Sequence, residues 1–429
     1  MARSSLETPS PALPRSTRGG GQSAFDLPQK PMESIVSPIR LLTAVPICDG
    51  HDSAINTINL ELIRSGIEVV YLGYHRSSRD IVRAAIQEDV GAIGISSYNG
   101  GHVEFFGEVA RQLRQQGAAD IGLFGGGGGT ITPTDAAAMC RTGVDRIFFP
   151  GTPLSEIVAF VSKAYRKPRR APDRGSKTLP SPDRRLAKLL STAETNAVRN
   201  ADQVARPSRP KTNASPLVIG ITGPGGAGKT TLIDEMVLRL LAASPKSRIA
   251  ILSHDPSIVG NGALLGDRAT MIYSQDDRVF MRSLATRGRP GGLCAATERC
   301  LQILKQAPGT SKSTRENSAN FDTIFVETVG TGQEAMPFPD GLVDKVALVM
   351  SPDYGARLQL QKIVMLDAAD VVIVNKSDLP GARTAAAEIE QRIASNHRGQ
   401  QLVTTQAKRH RDAKVDELLA LLTAPRSPR

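Results

Sequence analysis

The sequence predicts an α/β protein built from two parallel-rich sheets, and three observations carry that prediction. Short apolar runs alternate with helix-period stretches along most of the chain, the pattern that successive β/α units require. A stretch rich in Pro and Arg, residues 166–214, divides this alternation into two series. The length, 429 residues, suits two or three domains of about 150 residues each.

The first series spans 39–165 and follows a tail, 1–38, whose Pro, Gly and Ser content predicts disorder. That tail has no apolar h-region, so secretion is not expected; an organellar transit peptide stays open, although Pro and Gly interrupt any amphipathic helix in it. Strands are expected near 39–46, 68–72, 92–96, 121–124 and 146–149, each followed by an amphipathic stretch. Five such units fit a flavodoxin-like sheet, which binds ligands at the carboxyl ends of its strands. The second series, 215–424, is expected to place strands near 217–222, 248–253, 323–327, 345–350, 371–375 and 401–404, with 425–429 as a tail. Residues 166–214 read as a basic, flexible linker holding one short helix around Arg184 to Arg199.

Lys and Arg total 53 against 42 Asp and Glu, a balance that suggests an acidic partner only if it is spread over folded surface. It is concentrated instead: residues 166–216 hold 13 basic and 4 acidic side chains. With no Trp and 4% aromatics, few platforms exist for stacking bases, so no nucleic-acid partner is expected. No apolar run approaches the roughly 18 residues of a membrane span. Cys48, Cys140, Cys294 and Cys300 lack zinc-knuckle spacing and read as reduced thiols of a cytoplasmic protein.

The strand LVIGIT leads through Gly223, Pro224, Gly225, Gly226, Ala227 and Gly228 to Lys229, Thr230 and Thr231 at the start of an apolar helix. This is GxxxxGK[ST] in its strand-to-helix context. Backbone N–H groups curl around phosphate, Lys229 reaches the β and γ phosphates, and Thr230 ligates Mg2+. The alternative is a merely tight glycine turn. After the strand VVIV come Asn375, Lys376 and Asp378, and a carboxylate at 378 can accept from guanine N1–H and its 2-amino group, which adenine lacks. NKxD can also be an ordinary capped helix start; beyond a phosphate loop it favours GTP. In FDTIFVETVG, Glu327 ends a strand and can hold Mg2+ or its water, Gly330 can offer its N–H to the γ-phosphate, and Gln333 follows. Asp255 in HDPS and Asp267 in LLGDR add two acidic candidates for the same role, a reading that stands level with helix capping or solvated loop.

In the first series, PICDGHDSAIN puts Asp49 and His51 at the end of the first strand. A lone histidine is usually a cap or surface residue, but Asp49 can accept from one imidazole nitrogen and leave the other for a metal. Ser96, Ser97 and Tyr98 end the third strand, and Gly125 to Gly129, with Gly126 and Gly127 at the centre, end the fourth, where bare backbone can lie against a large flat ligand.

GPGGAGKTT, HDPS, GALLGDR, FMRSLATRG, VETVGTGQ and NKSD, in that order over about 215–407, resemble the metallochaperone GTPases that serve adenosylcobalamin-dependent mutases. The resemblance implies Mg2+ coordination by Thr230, Asp255, Asp267 and Glu327, with GALLGDR as a mobile switch. Asn261 stands where the family usually has Gly, and the chain stops at Arg429, so the dimerisation arm of many stand-alone members is expected to be short or absent, which leaves a homodimer open. Asp49 and His51 resemble the DxHxxG loop of the cobalamin-binding domain of acyl-CoA mutases, with Ala54 in place of the final Gly. That implies His51 as lower ligand to cobalt. ISSYNGGHVEFF, FGGGGGTI and the domain order resemble the fused isobutyryl-CoA mutases over 39–407, whose substrate barrel is not expected in this chain. The resemblance implies a GTP-hydrolysing chaperone and cobalamin-binding subunit for a separate acyl-CoA mutase of the isobutyryl-CoA or methylmalonyl-CoA type, using adenosylcobalamin, GTP/GDP and Mg2+. A passive cobalamin-binding small subunit with a slow or vestigial GTPase is the alternative, and a truncated product a third.

Overall fold

The computed structural model describes residues 38–47, 53–167, 179–199, 215–257, 262–307, 321–330, 338–354, 364–396 and 398–425. The first series folds as β1 (Arg40–Ala44), α1 (Ser53–Arg64), β2 (Glu68–Tyr71), α2 (Ser78–Gln87), β3 (Ala92–Ser96), α3 (His102–Gln115), β4 (Gly122–Gly126), α4 (Pro133–Thr142), β5 (Arg146–Phe148) and α5 (Leu154–Tyr165). Its strands are parallel in the order β5-β4-β3-β1-β2, the flavodoxin-like order. β1 and β3 are buried throughout, as expected for strands covered by helices on both faces. Helix starts are set locally. Ser77 and Asp80 form a reciprocal capping box on α2, and Thr132 and Asp135 do the same on α4.

The second series runs α6 (Pro182–Arg199), β6 (Leu217–Thr222), α7 (Lys229–Ala243), β7 (Ile249–Asp255), β8 (Ala263–Leu265), α8 (Asp267–Thr270), β9 (Val279–Ala285), α9 (Thr297–Gln306), β10 (Thr323–Glu327), β11 (Lys345–Met350), β12 (Val371–Val374), α10 (Ala382–Ser395), β13 (Gln401–Thr404) and α11 (Ala413–Thr423). Seven of its strands form a parallel sheet, β13-β12-β11-β6-β10-β7-β9. The doubly parallel α/β architecture expected from the sequence is therefore present.

Three features differ from the expectation. The helix of the supposed linker is longer, and it is no solvated tether: Leu186, Ala187, Leu190 and Ala193 are buried in one cluster with Val218, Ala250, Phe280 and Leu301 of the second sheet and α9. β9 was not foreseen, because VFMRSLA carries Arg282 and Ser283 in a strand that is buried throughout. Their polarity is answered from elsewhere, Arg282 by Ser191 and Glu194 of α6 and Ser283 by Glu88 of the first series. β8, expected as part of a mobile switch, is a parallel edge strand of the first sheet, with Glu68, Val69 and Val70 opposite Ala263, Leu264 and Leu265.

The two sheets are also joined by buried charge. Arg40 and Glu68 are the first residues of β1 and β2, at the edge away from the expected ligand. Arg40 Nη2 donates to Glu68 Oε2 at 2.9 Å and to Glu194 Oε2 at 2.7 Å, while Arg287, just beyond β9, donates to Glu68 Oε1 at 2.8 Å.

Candidate functional site

β6 ends in a loop with three glycines at positive φ, two of which have no room for a side chain. Gly223 has φ +138°, and a Cβ there would fall 1.9 Å from the Val349 carbonyl oxygen; Gly228 has φ +89°, and its Cβ would meet the Asn375 amide at 2.4 Å. Gly225, Gly226 and Thr231 are exposed at the open mouth, Ala227 is buried, and the Gly225 N–H donates to the Gly330 carbonyl at 2.6 Å. Lys229 is buried, and its ammonium donates back to the Gly223 and Pro224 carbonyls at 3.1 and 3.2 Å. Burial lowers its pKa, against the pull of Glu327 and Asp267.

Thr230, the second residue of α7, meets two of the carboxylates. Its hydroxyl lies 2.7 Å from Glu327 Oε1 and 3.5 Å from Asp267 Oδ1, and Ser253 donates to Asp267 Oδ2. Asp255 Oδ1 accepts a long bond from the Gly266 N–H, 3.4 Å, while Asp255 Oδ2 and Glu327 Oε2 are buried with no hydrogen-bond partner among the described residues. Burial, then Asp267, pushes the Glu327 carboxyl up to about 8; burial, then Asp267, also raises Asp255 well above its usual range, and burial raises Asp267. Three raised carboxyls, two of them with an orphaned oxygen, beside a hydroxyl are the donor set of a hard divalent cation. Among the described residues no three acidic, His or Cys groups close into a cage by themselves. Mg2+ does not ask for one, since it takes one or two carboxylates and completes its shell with water and phosphate. The residues therefore fit Mg2+.

Asn375 links this loop to the base end. Buried, it donates to the Ala227 carbonyl at 2.9 Å and accepts from Thr405 Oγ1 and the Ala407 N–H at 3.1 and 3.0 Å. Lys376 follows with φ +58°, and Asp378 is exposed at the rim. Sequence reasoning missed Ser253, Thr405 and His254. The His254 ring is buried between the Glu327 carbonyl and Thr297 Oγ1, 2.7 and 2.8 Å away, and burial pushes its pKa down to about 4. Nothing in the local sequence marks these three, because their partners lie on other strands and helices. Gln333 and Asn261 lie outside the described residues.

In the first series, Asp49 and His51 also lie outside the described residues. The rest of the expected site is assembled. A cavity of about 410 Å³ opens at the carboxyl edge between β1, β3 and β4, lined by Ser96, Tyr98, Gly125, Gly126 and Gly127 and flanked by α1 and α5. Its glycines serve close approach rather than turning: a Cβ on Gly127 would stand 1.8 Å from the Ser97 carbonyl oxygen, and one on Gly125 2.4 Å from that of Ile95. Thr43 Oγ1, on the cavity wall, is buried with no partner among the described residues. A deep, mostly apolar slot walled by bare backbone fits an elongated organic group such as the tail of cobalamin.

Residues 186–422 match the family described as methylmalonyl-CoA mutase-associated GTPase MeaB, and residues 39–159 match the B12 binding domain. The chain belongs to the MeaB family. This MeaB-family chain, joined to a B12-binding domain, is 37% identical over 375 residues to a fused isobutyryl-CoA mutase of Nocardia farcinica, covering 84% of the chain and 33% of that protein. It is 38% identical over 378 residues to one of Cupriavidus metallidurans, covering 86% of the chain and 33% of the relative. It thus spans about a third of the length of the fused mutases it matches. Its B12-binding domain is 34% identical over 122 residues to the 2-hydroxyisobutanoyl-CoA mutase small subunit of Aquincola tertiaricarbonis, 28% of the chain and 88% of that subunit. No helix among the described residues is long and apolar enough to cross a membrane.

Proposed function

We propose that this chain is a GTP-hydrolysing chaperone and cobalamin-binding subunit that loads or protects adenosylcobalamin for a separate acyl-CoA mutase. The observation that carries the reading is that Thr230 meets both Glu327 and Asp267 beside the phosphate loop, with Asp255 close enough to feel the charge of Asp267 and one buried oxygen each of Asp255 and Glu327 unpartnered among the described residues. GTP phosphates enter against the N–H groups of 225–231, and Lys229 exchanges its two loop carbonyls for phosphate oxygens. Thr230 with Asp255, Asp267 and Glu327 would hold Mg2+, which would supply charge neutralisation at the phosphates. Gly330 presents its N–H at the γ-phosphate position, Asp378 reads guanine, and Asn375 fixes the distance between the two ends.

In the first domain, Ser96, Tyr98 and the glycines from 125 would receive the cofactor, and Asp49 and His51 would supply the hydrogen-bonded histidine that holds cobalt. Bound cobalamin supplies the homolysable cobalt–carbon bond; the protein residues orient the cofactor and exclude water. GTP hydrolysis assayed with the full chain, with and without a barrel subunit, tests the reading. Turnover raised by the barrel, and cofactor exchange that differs between GTP and GDP, is the expected result. The match to a mutase small subunit favours a second reading, a passive cobalamin subunit; cofactor exchange indifferent to nucleotide is its signature.

A further inference from the structure

The segment that carries Asp267 is fastened to the other domain at three points. Before it, β8 pairs with β2 of the cobalamin-binding sheet. After it, Arg268 is fully buried and crosses into the first domain, donating from Nε to Glu88 Oε1 at 3.0 Å and from Nη2 to Gln87 Oε1 at 3.2 Å. One residue further, Arg76 donates from Nη2 to the Ala269 carbonyl at 2.7 Å. Glu88, at the C-terminal cap of α2 and itself fully buried, has no slack: its carboxylate also accepts from the Ser283 N–H and Oγ at 3.0 Å. The backbone on both sides of Asp267 is therefore held by residues 68–88, while its carboxylate meets Thr230 and Ser253 of the nucleotide domain.

We propose that Glu88 is a positioning residue of the Mg2+ site: it anchors Arg268, so the cobalamin-binding domain sets where Asp267 stands and thereby how strongly Mg2+ and nucleotide bind together. Coupling of this kind is reciprocal, so occupancy of the nucleotide site tightens the β2–β8 edge of the cobalamin-binding sheet. The inference rests on the reading of Asp267 as a Mg2+ carboxylate given above.

The test uses the full chain and a fluorescent GDP analogue titrated with and without Mg2+. In Glu88→Gln the factor by which Mg2+ strengthens nucleotide binding is expected to fall by about 10-fold, the usual size of a loss behind a metal ligand. The Mg2+ concentration for half-maximal effect rises accordingly. A folded Glu88→Gln with the wild-type factor overturns the proposal. Should Glu88→Gln fail to fold, Arg76→Met removes only the outer anchor on Ala269, and a smaller shift in the same direction is expected; no shift overturns the proposal. Hydrogen exchange on the wild type gives an independent readout. Mg2+ with GDP should slow exchange at 263–265 and 68–71 together with 267–270, whereas slowing confined to the phosphate loop overturns it. A wild type without Mg2+-dependent guanine-nucleotide binding defeats the underlying reading as well; Mg2+-dependent wild-type binding with an unchanged variant defeats the wiring alone.

Discussion

Glu194 and Glu327 are both buried carboxylates, and their surroundings are opposite in sign. Burial alone would raise Glu194, but Arg282, Arg40 and Arg287 hold its carboxyl down at about 2. Glu327 faces Asp267 as well as low-dielectric surroundings, and Thr230 and Lys229 only partly oppose the rise to about 8. The first arrangement is complete without any further group and fixes how α6, β1 and β9 meet. The second leaves Glu327 Oε2 without a partner among the described residues, the place that the proposed Mg2+ would fill. Charge that is buried and answered serves architecture; charge that is buried and unanswered points to a ligand.

The contrast breaks first at Glu194. Glu194→Ala leaves the buried Arg282 without its carboxylate and Arg40 with Glu68 alone, and is expected to cost about 3 to 5 kcal/mol in chemical denaturation, whereas Glu327→Gln should leave the nucleotide-free protein at least as stable as wild type. Loss of stability in both variants would erase the distinction. Lys229→Ala should reduce GTP hydrolysis by about 100-fold or more in a phosphate-release assay, since its charge acts where negative charge develops; unchanged turnover would place the activity elsewhere. Asp378→Asn should weaken GTP by on the order of 1 to 3 kcal/mol and favour xanthosine triphosphate in competition binding, while equal affinity of the wild type for ATP and GTP would remove the guanine assignment.

The smallest effect is a pair of opposite pH slopes. Glu327 has a folded pKa raised above its ordinary value, so its contribution is fully present below about pH 4.5 and is lost as pH rises toward 8. Glu194 has a folded pKa lowered to about 2, so its contribution is present above about 4.5 and is lost as pH falls toward 2. Melting of the nucleotide-free protein from pH 5 to 8 should therefore show a decline that Glu327→Gln flattens and Glu194→Gln does not. Mg2+ with GDP should flatten it too.

What was legible in the sequence was contiguous chemistry. The phosphate loop, the Asn375–Asp378 corner and the glycine run after β4 carry their meaning within a few residues, and the strands around them are apolar because helices cover both faces. What was hidden depends on partners far along the chain. β9 looks too polar for a buried strand until Glu88 and Glu194 are seen beside it. The helix 182–199 sits in a Pro/Arg-rich stretch, yet its apolar face completes the core beneath β6 and β7. GALLGDR reads as a loop of the nucleotide domain, while three of its residues extend the other sheet.

That borrowed strand has a consequence for synthesis on the ribosome. β2 emerges early, but the segment that covers its edge lies about 195 residues later, so at 5 to 20 residues per second the nascent first sheet waits roughly 10 to 40 s with that edge open. Through that interval Val69 and Val70 expose unpaired backbone, the state in which strands recruit neighbours from other chains. Glu68, the first residue of the strand, then lies buried beside that edge with Arg40 and Arg287 once the chain is complete. Slower translation between 71 and 263 should lengthen the exposure and lower soluble yield.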